Sequence, residues 1–161
     1  GKGSRSVDGV TREFRAIGSR IKRQSLRPLT FFRGHCWQSA LFPDGRAFGF
    51  ITYPPKGDGS EPYNGGYIFQ DGKMHPARAI KIPWLRRLVA EGDDVSLELE
   101  SELGVTRIGG STMLTTFKIL GTGDGTTTEF NLQQGGARYT WDGMTSYGMI
   151  ERSTMTDQLT G

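Results

Sequence analysis

The chain has 161 residues, 20 basic against 17 acidic side chains, 35% hydrophobic and 11% aromatic residues, 24 glycines and one cysteine. One domain of that size buries roughly 70% of its unfolded surface and stands without disulfides. No apolar run approaches the ~18 residues of a membrane-spanning helix. The balance of glycine and aromatics suits many short strands joined by glycine turns better than disorder. A lone cysteine forms no internal disulfide, which points to a reducing compartment, the cytoplasm. The chain opens on Gly1 with no initiator Met and no signal-peptide apolar region behind it, so the expectation is a processed or trimmed start with a segment upstream.

In chain order, Asp8-Gly9 precedes a first strand, Val10 to Ile17, which continues past Gly18 into Ser19–Gln24. Aromatic and β-favouring residues then predict a strand over Thr30–Phe42, stopped by Pro43-Asp44-Gly45, with Arg46–Tyr53 as its hairpin partner. Residues 54 to 62 form a loop by composition. Gly66–Gln70 and Lys73–Ile82 flank Asp71-Gly72, a dipeptide that supplies the two positive-φ positions of a type I′ turn. Pro83–Ala90 has only a hint of helical spacing. Val95–Leu103 alternates, with Val95, Leu97 and Leu99 inward and Ser96, Glu98 and Glu100 outward. Ser111–Leu120, Thr126–Gln133, Ala137–Trp141 and Met144–Arg152 follow, the last two around Asp142-Gly143. About ten strands with little helix predict a single all-β domain over residues 1–161, an antiparallel barrel or sandwich.

Alternation along Thr30–Phe42 puts Arg33, His35, Trp37 and Ser39 on one face and Gly34, Cys36, Gln38 and Ala40 on the other. His35 and Cys36 therefore cannot pair as base and nucleophile. Proline suits the first central position of a type I turn and cannot donate to a ladder. The loop after Phe42 is thus expected to hold three residues, with Gly45 left-handed, pairing Gln38 with Phe50, Trp37 with Ile51 and His35 with Tyr53. A one-residue slip would move every partner to the opposite face.

Several motifs carry little chemistry. Gly121-Thr122-Gly123-Asp124-Gly125 resembles a phosphate loop but is followed by strand rather than helix, so it reads as a mobile hairpin loop. The two histidines lie far apart and the one cysteine only adjoins His35, with no metal-ligand spacing, and neither metal nor cofactor is expected. The net charge of +3 is mild. The basic cluster Arg12–Arg27 reads as a solvated strand face opposite Glu98, Glu100 and Glu102, because no nucleic-acid motif accompanies it. His75, between a turn and Pro76, is expected at the surface. His35 differs, since a cation, a titratable ring and a large aromatic converge on its face. Such a group inside a barrel orients a ligand's polar end or moves a proton. Tyr147, Met149 and Glu151 share a face of the final strand, and Glu151 is a candidate partner for Arg33.

The block Arg33-Gly34-His35-Cys36-Trp37-Gln38 resembles the Arg-Asp-His-Ser-Trp-Gly signature of the lipocalin-like superfamily of carotenoid 1,2-hydratases and fungal Diels–Alderases. Tyr147-Gly148-Met149-Ile150-Glu151-Arg152 resembles the Gly-Tyr-Gly-x-x-Glu stretch that closes that family's second domain. The similarity runs from about Val7 to Ser153. It implies a calycin-type antiparallel β-barrel of about 8–10 strands, the C-terminal of two consecutive barrels, with apolar ligands held in or between them. Arg33, His35 and Trp37 would occupy the motif positions and Glu151 that of the closing acid. Gly34 stands where the family has Asp, Cys36 where it has Ser and Gln38 where it has Gly, which removes a carboxylic acid that could protonate an alkene.

Three functions follow as expectations. The first is a barrel binding an isoprenoid- or polyketide-like apolar molecule, with Trp37, Ile51, Tyr53, Tyr147, Met149 and Glu151 as ligand contacts. The second is a lyase or isomerase/cyclase in which His35 is the acid/base and Arg33 the electrostatic stabiliser. The third is a structural domain that packs on an upstream barrel or a second copy. An unfilled apolar lumen favours the first two, and a lumen plugged by Trp37, Phe50 and Tyr53 favours the third.

Overall fold

A computed structural model describes residues 1–16, 18, 32–56, 59–121 and 129–160. Ten strands hold more than half of the chain: β1 (Lys2–Val7), β2 (Val10–Arg15), β3 (Gly34–Leu41), β4 (Ala47–Thr52), β5 (Asn64–Gln70), β6 (Lys73–Lys81), β7 (Leu97–Ser101), β8 (Gly104–Gly121), β9 (Glu129–Trp141) and β10 (Met144–Met155). β1 and β2 form a separate two-stranded sheet. β3 to β10 close an up-and-down antiparallel barrel in which each strand pairs with its sequence neighbour and β10 pairs back onto β3. This is the lipocalin-like all-β barrel expected from the strand count.

Turn chemistry accounts for the connections. Asp8-Gly9, Asp71-Gly72 and Asp142-Gly143 all carry φ between 47° and 77° at both residues, as type I′ turns require. Gly45 has φ 91°, its N–H donates to the Phe42 carbonyl, and the Phe42 N–H donates to the Arg46 carbonyl. Gln38 faces Phe50 and Trp37 faces Ile51, the register the three-residue loop predicts. The barrel's four hairpin turns, at residues 43–45, 71–72, 102–103 and 142–143, lie at one end of it. There Arg46 pairs with Asp44 and Asp142 and stacks on the Trp141 ring at 4.3 Å.

Several expected boundaries shift. β1 was not expected, because Lys2-Gly3-Ser4 reads as a polar terminus, and it forms by pairing across the Asp8-Gly9 turn. β2 stops at Arg15, and Ile17, Ser19–Gln24, Thr30 and Phe31 lie outside the described residues. The same holds for Arg20, Lys22, Arg23 and Arg27, and for most of the 121–125 loop. β8 begins at Gly104 rather than Ser111, and β9 runs unbroken through Gly135-Gly136. Glycines that read as strand breakers mark close backbone approaches instead. Leu114 is a bulge residue (φ 53°), and a Cβ on the facing Gly135 would lie 2.4 Å from the Leu114 carbonyl oxygen. Pro83–Ala90 forms no helix.

The lumen is packed. Cys36, Phe42, Phe48, Ile68, Leu99 and Tyr139 expose none of their surface, so no water-sized space adjoins them. Val95, Leu97 and Leu99 point inward as the alternation predicts. Outward on β7, Glu98 pairs with Arg107 and Glu100 with Arg78, while the turn residue Glu102 pairs with Lys73. The acidic strip is thus paired by neighbouring strands, and the basic residues expected to face it lie mostly outside the described residues. The position of His75 is corrected. It is 7% exposed on the inner face beside the turn and bonded at Nδ1 to Glu102 (2.5 Å). Together with Lys73, that bond holds the Glu102 carboxyl below its usual range.

At the end away from the tight turns, Arg152 crosses the lumen at 1% exposure. Its guanidinium donates to Asp93 Oδ2 (2.6 Å), to Gln133 Oε1 (2.6 and 2.9 Å) and to the Pro83 carbonyl (3.1 Å). Gln133 donates onward to Thr115 Oγ1 and the Val89 carbonyl, both at 3.0 Å. These bonds draw the segment between β6 and β7 across the barrel mouth. Replacing Arg152 with Met leaves Asp93 short of its closest cation in a dry site and is expected to cost on the order of 3–5 kcal/mol. Urea unfolding checks this through a lowered midpoint at unchanged slope; a loss below about 1 kcal/mol would contradict the role given to the pair.

Candidate functional site

The expected site residues do share one face, but it is the outer wall. On β3 the inner residues are Cys36, Gln38 and Ala40, so His35 and Trp37 project outward, together with Ile51 on β4 and Tyr147, Met149 and Glu151 on β10. The expectation that Arg33, His35 and Trp37 point into the barrel or onto its mouth is therefore corrected for His35 and Trp37, while Arg33 borders a cavity at the loop end of the barrel. Both faces of β3 and β4 are largely buried, so polarity along the strands does not distinguish inside from outside.

Register assembles a polar cluster on that wall. β10 sets Ser153 opposite His35 and Glu151 opposite Trp37, and β9 sets Gln134 opposite Glu151. His35 Nε2 lies 2.8 Å from Glu151 Oε1, Ser153 Oγ lies 2.5 Å from His35 Nδ1, and the His35 backbone N–H donates to the same Oγ at 3.0 Å. Gln134 Nε2 donates to Glu151 Oε2 at 2.5 Å. An ionised carboxylate only accepts, so Nε2 carries the proton of the neutral ring and Nδ1 accepts from the Ser153 hydroxyl. A proton taken up at Nδ1 is met by rotation of that hydroxyl. His35 is 8% and Ser153 2% exposed. Ser153 already receives a backbone N–H and is closed to solvent, so it positions the ring rather than acting as a nucleophile.

Aromatic side chains cover the cluster and extend it. Ring centroids run from Phe130 to Phe32 (5.3 Å), Phe32 to His35 (6.0 Å), His35 to Tyr53 (6.1 Å) and Tyr53 to Tyr63 (6.0 Å). Next to this stripe, Trp37, Ile51, Tyr63, Tyr67, Met74 and Pro76 border a shallow groove of about 310 Å³. The Tyr67 ring lies over Gly49 and the Tyr63 ring over Gly65, where a Cβ would meet each ring at 2.7 Å. Burial pushes the Tyr67 hydroxyl pKa up.

Two expected members stand apart. Arg33 pairs with Asp157 at 3.6 Å, and Glu151 is held by His35 and Gln134 instead. Tyr147, 66% exposed, shares the wall but lies six residues along β10 from Ser153, about 20 Å at the strand rise. Met149 faces Ser39 between them. Ser153 was legible as the next alternate position after Glu151. Gln134, Tyr63 and Tyr67 arrive only through pairing with strands whose register the sequence leaves open. Gly34 has φ 116°, and a Cβ there would fall 2.2 Å from the Ser153 carbonyl oxygen. The Asp of the resembling signature therefore does not fit this backbone.

Cys36, inside the barrel, accepts a bond from the Gln38 amide at 3.5 Å and lies 3.8 Å from the Pro83 carbonyl. Burial pushes its thiol pKa up to about 12, and burial also raises that of Tyr139. A thiol whose ionisation is raised in the fold contributes stability that is intact below the unfolded value and lost as pH rises through the folded one. The native protein is expected to resist iodoacetamide at pH 8 and to be alkylated in urea, read by intact mass. Its stability should fall above about pH 9. Alkylation at equal rates in both states would place Cys36 outside the core.

Comparison with family models, with curated proteins and with solved structures finds no match for the chain.

Proposed function

We propose that the protein binds an apolar small molecule of isoprenoid- or polyketide-like character on the outer wall of its barrel. The observation that carries this reading is a polar-to-aromatic gradient across paired strands. One row runs Gln134, Glu151, Trp37, Ile51 and Gly65 across β9, β10, β3, β4 and β5. A second runs Ser153, His35, Tyr53 and Tyr63. Strands lie about 4.8 Å apart, so the rows offer roughly 15–20 Å of surface. An elongated ligand lies across them, with its apolar body on the aromatics and a hydroxyl or carbonyl towards His35–Glu151. The filled lumen leaves no room for that body inside the barrel. The resemblance to the carotenoid 1,2-hydratase superfamily supports the same reading, since ligands between two barrels would lie against such a wall.

The Ser153–His35–Glu151 chain favours a second reading, in which the same site performs acid/base chemistry on the bound molecule. The proton would pass through Glu151, the partly exposed end of the chain, while His35 holds that carboxylate from Nε2.

Titration with the neutral fluorophore N-phenyl-1-naphthylamine tests the binding reading. Saturable binding is expected, weakened at least about fivefold by Tyr63→Ala or Met74→Ala, since truncating an anchor side chain costs about 1 kcal/mol or more. Both residues are more than half exposed, so the fold tolerates the change. The inward Ile68→Val should leave the affinity unchanged, and the reverse pattern would move the site into the lumen. Farnesol displacing the probe should weaken about tenfold in His35→Ala, the worth of a good hydrogen bond. A converted product that disappears in His35→Ala would make the site catalytic.

A further inference from the structure

Away from the outer-wall groove, a cavity of about 250 Å³ opens at the loop end of the barrel. Arg33 and Arg86 stand on its border, Trp84, Leu85, Pro54 and Pro55 supply apolar wall, and Ser153, Thr154 and Gln158 complete the lining. Leu85 is 1% exposed, which fixes that wall against the core. Arg86 is exposed, and among the described residues its guanidinium makes a single contact, Nη1 to the Gln158 carbonyl at 3.3 Å. Among the described residues Arg33 has only the 3.6 Å pair with Asp157, in which both side chains are solvated (41% and 63%). By contrast, Arg46, Arg78 and Arg152 each have a carboxylate within 3.0 Å.

We propose that this cavity is a second binding site, for a carboxylate carried on a short apolar chain. Two guanidinium groups against one acid leave a single positive charge, which matches a monoanion better than a doubly charged phosphate monoester. Guanidinium forks pair with carboxylates in bidentate geometry. The Trp84, Leu85 and proline wall would go unfilled by a bare inorganic anion. The volume lies below the roughly 300–1,000 Å³ of pockets for drug-sized ligands, so the chain is short. Neither the outer groove nor the His35 cluster is needed for this site, although Ser153 borders both.

Calorimetry with octanoate at pH 7 tests it, with octanol and inorganic phosphate as parallel ligands. Octanoate is expected to bind, and Arg86→Gln and Arg33→Gln should each weaken it roughly tenfold or more, the worth of a charge-assisted bond. Octanol, with the same chain and no charge, should bind at least about tenfold more weakly. Tyr63→Ala, in the outer groove, should change nothing. No binding of octanoate would overturn the proposal, as would octanol binding as tightly, phosphate competing equally, or indifference to both arginine substitutions. Loss of octanoate binding in Tyr63→Ala with both arginine variants intact would also overturn it, while supporting the outer groove as a ligand site.

Discussion

Closure of the barrel by β10 against β3 is the constraint on which the other features depend. The two strands are far apart in sequence, and their antiparallel register sets Ser153 against His35, Glu151 against Trp37 and Arg152 against Cys36. Because alternate residues face opposite ways, one registration builds two different structures back to back. Outward lies a titratable cluster under aromatic cover. Inward lies a thiol beside a buried guanidinium. A slip of β10 by one residue would turn its side chains over, leaving Arg152 in solvent and sending Glu151 and Ser153 into the core.

The inward set explains why function is sought on the wall. A lipocalin-like barrel of eight strands is just wide enough for its own side chains to fill it or for one small ligand. Here Phe42, Phe48, Ile68, Tyr139 and Trp141 occupy the turn half of the lumen, and the Arg152–Asp93–Gln133 network occupies the other. That network satisfies its polar groups completely: no buried side-chain nitrogen or oxygen among the described residues lacks a partner. An interior so fully satisfied makes a rigid support rather than a container. Rigidity of this kind suits residues displayed on the outside, because neighbouring strands hold them in fixed geometry.

The outer wall combines two kinds of burial. The glycines at 49 and 65 let tyrosine rings lie flat against the backbone, which gives a smooth apolar surface without a deep cleft. The His35 cluster is enclosed by Phe32, Phe130 and Tyr53, and every hydrogen-bonding atom of the imidazole is accounted for. Enclosure in this form strengthens the electrostatic coupling between ring and carboxylate and leaves the carboxylate edge, 22% exposed, as the polar face a ligand meets.

The sequence by itself determined the all-β class, the type I′ turns, the three-residue loop after Phe42 and the set of residues that share a face with His35. All of these are local: they follow from Asp-Gly and Pro-Asp-Gly chemistry and from the two-residue period of a strand. Only the tertiary structure decided which face is inside. Along β3 and β4 hydrophobic, aromatic and small polar residues occur on both faces, one burying them in the lumen and the other beneath aromatic side chains, so alternation carries no inside–outside sign. The same reason misplaced His75, whose burial comes from the inward pleat of β6 beside Glu102, a residue of a different hairpin. The partners of His35 were equally out of reach, because they are brought in by pairing between strands more than a hundred residues apart, and Asp93 and Pro83 reach Arg152 from a loop with no periodicity to announce it.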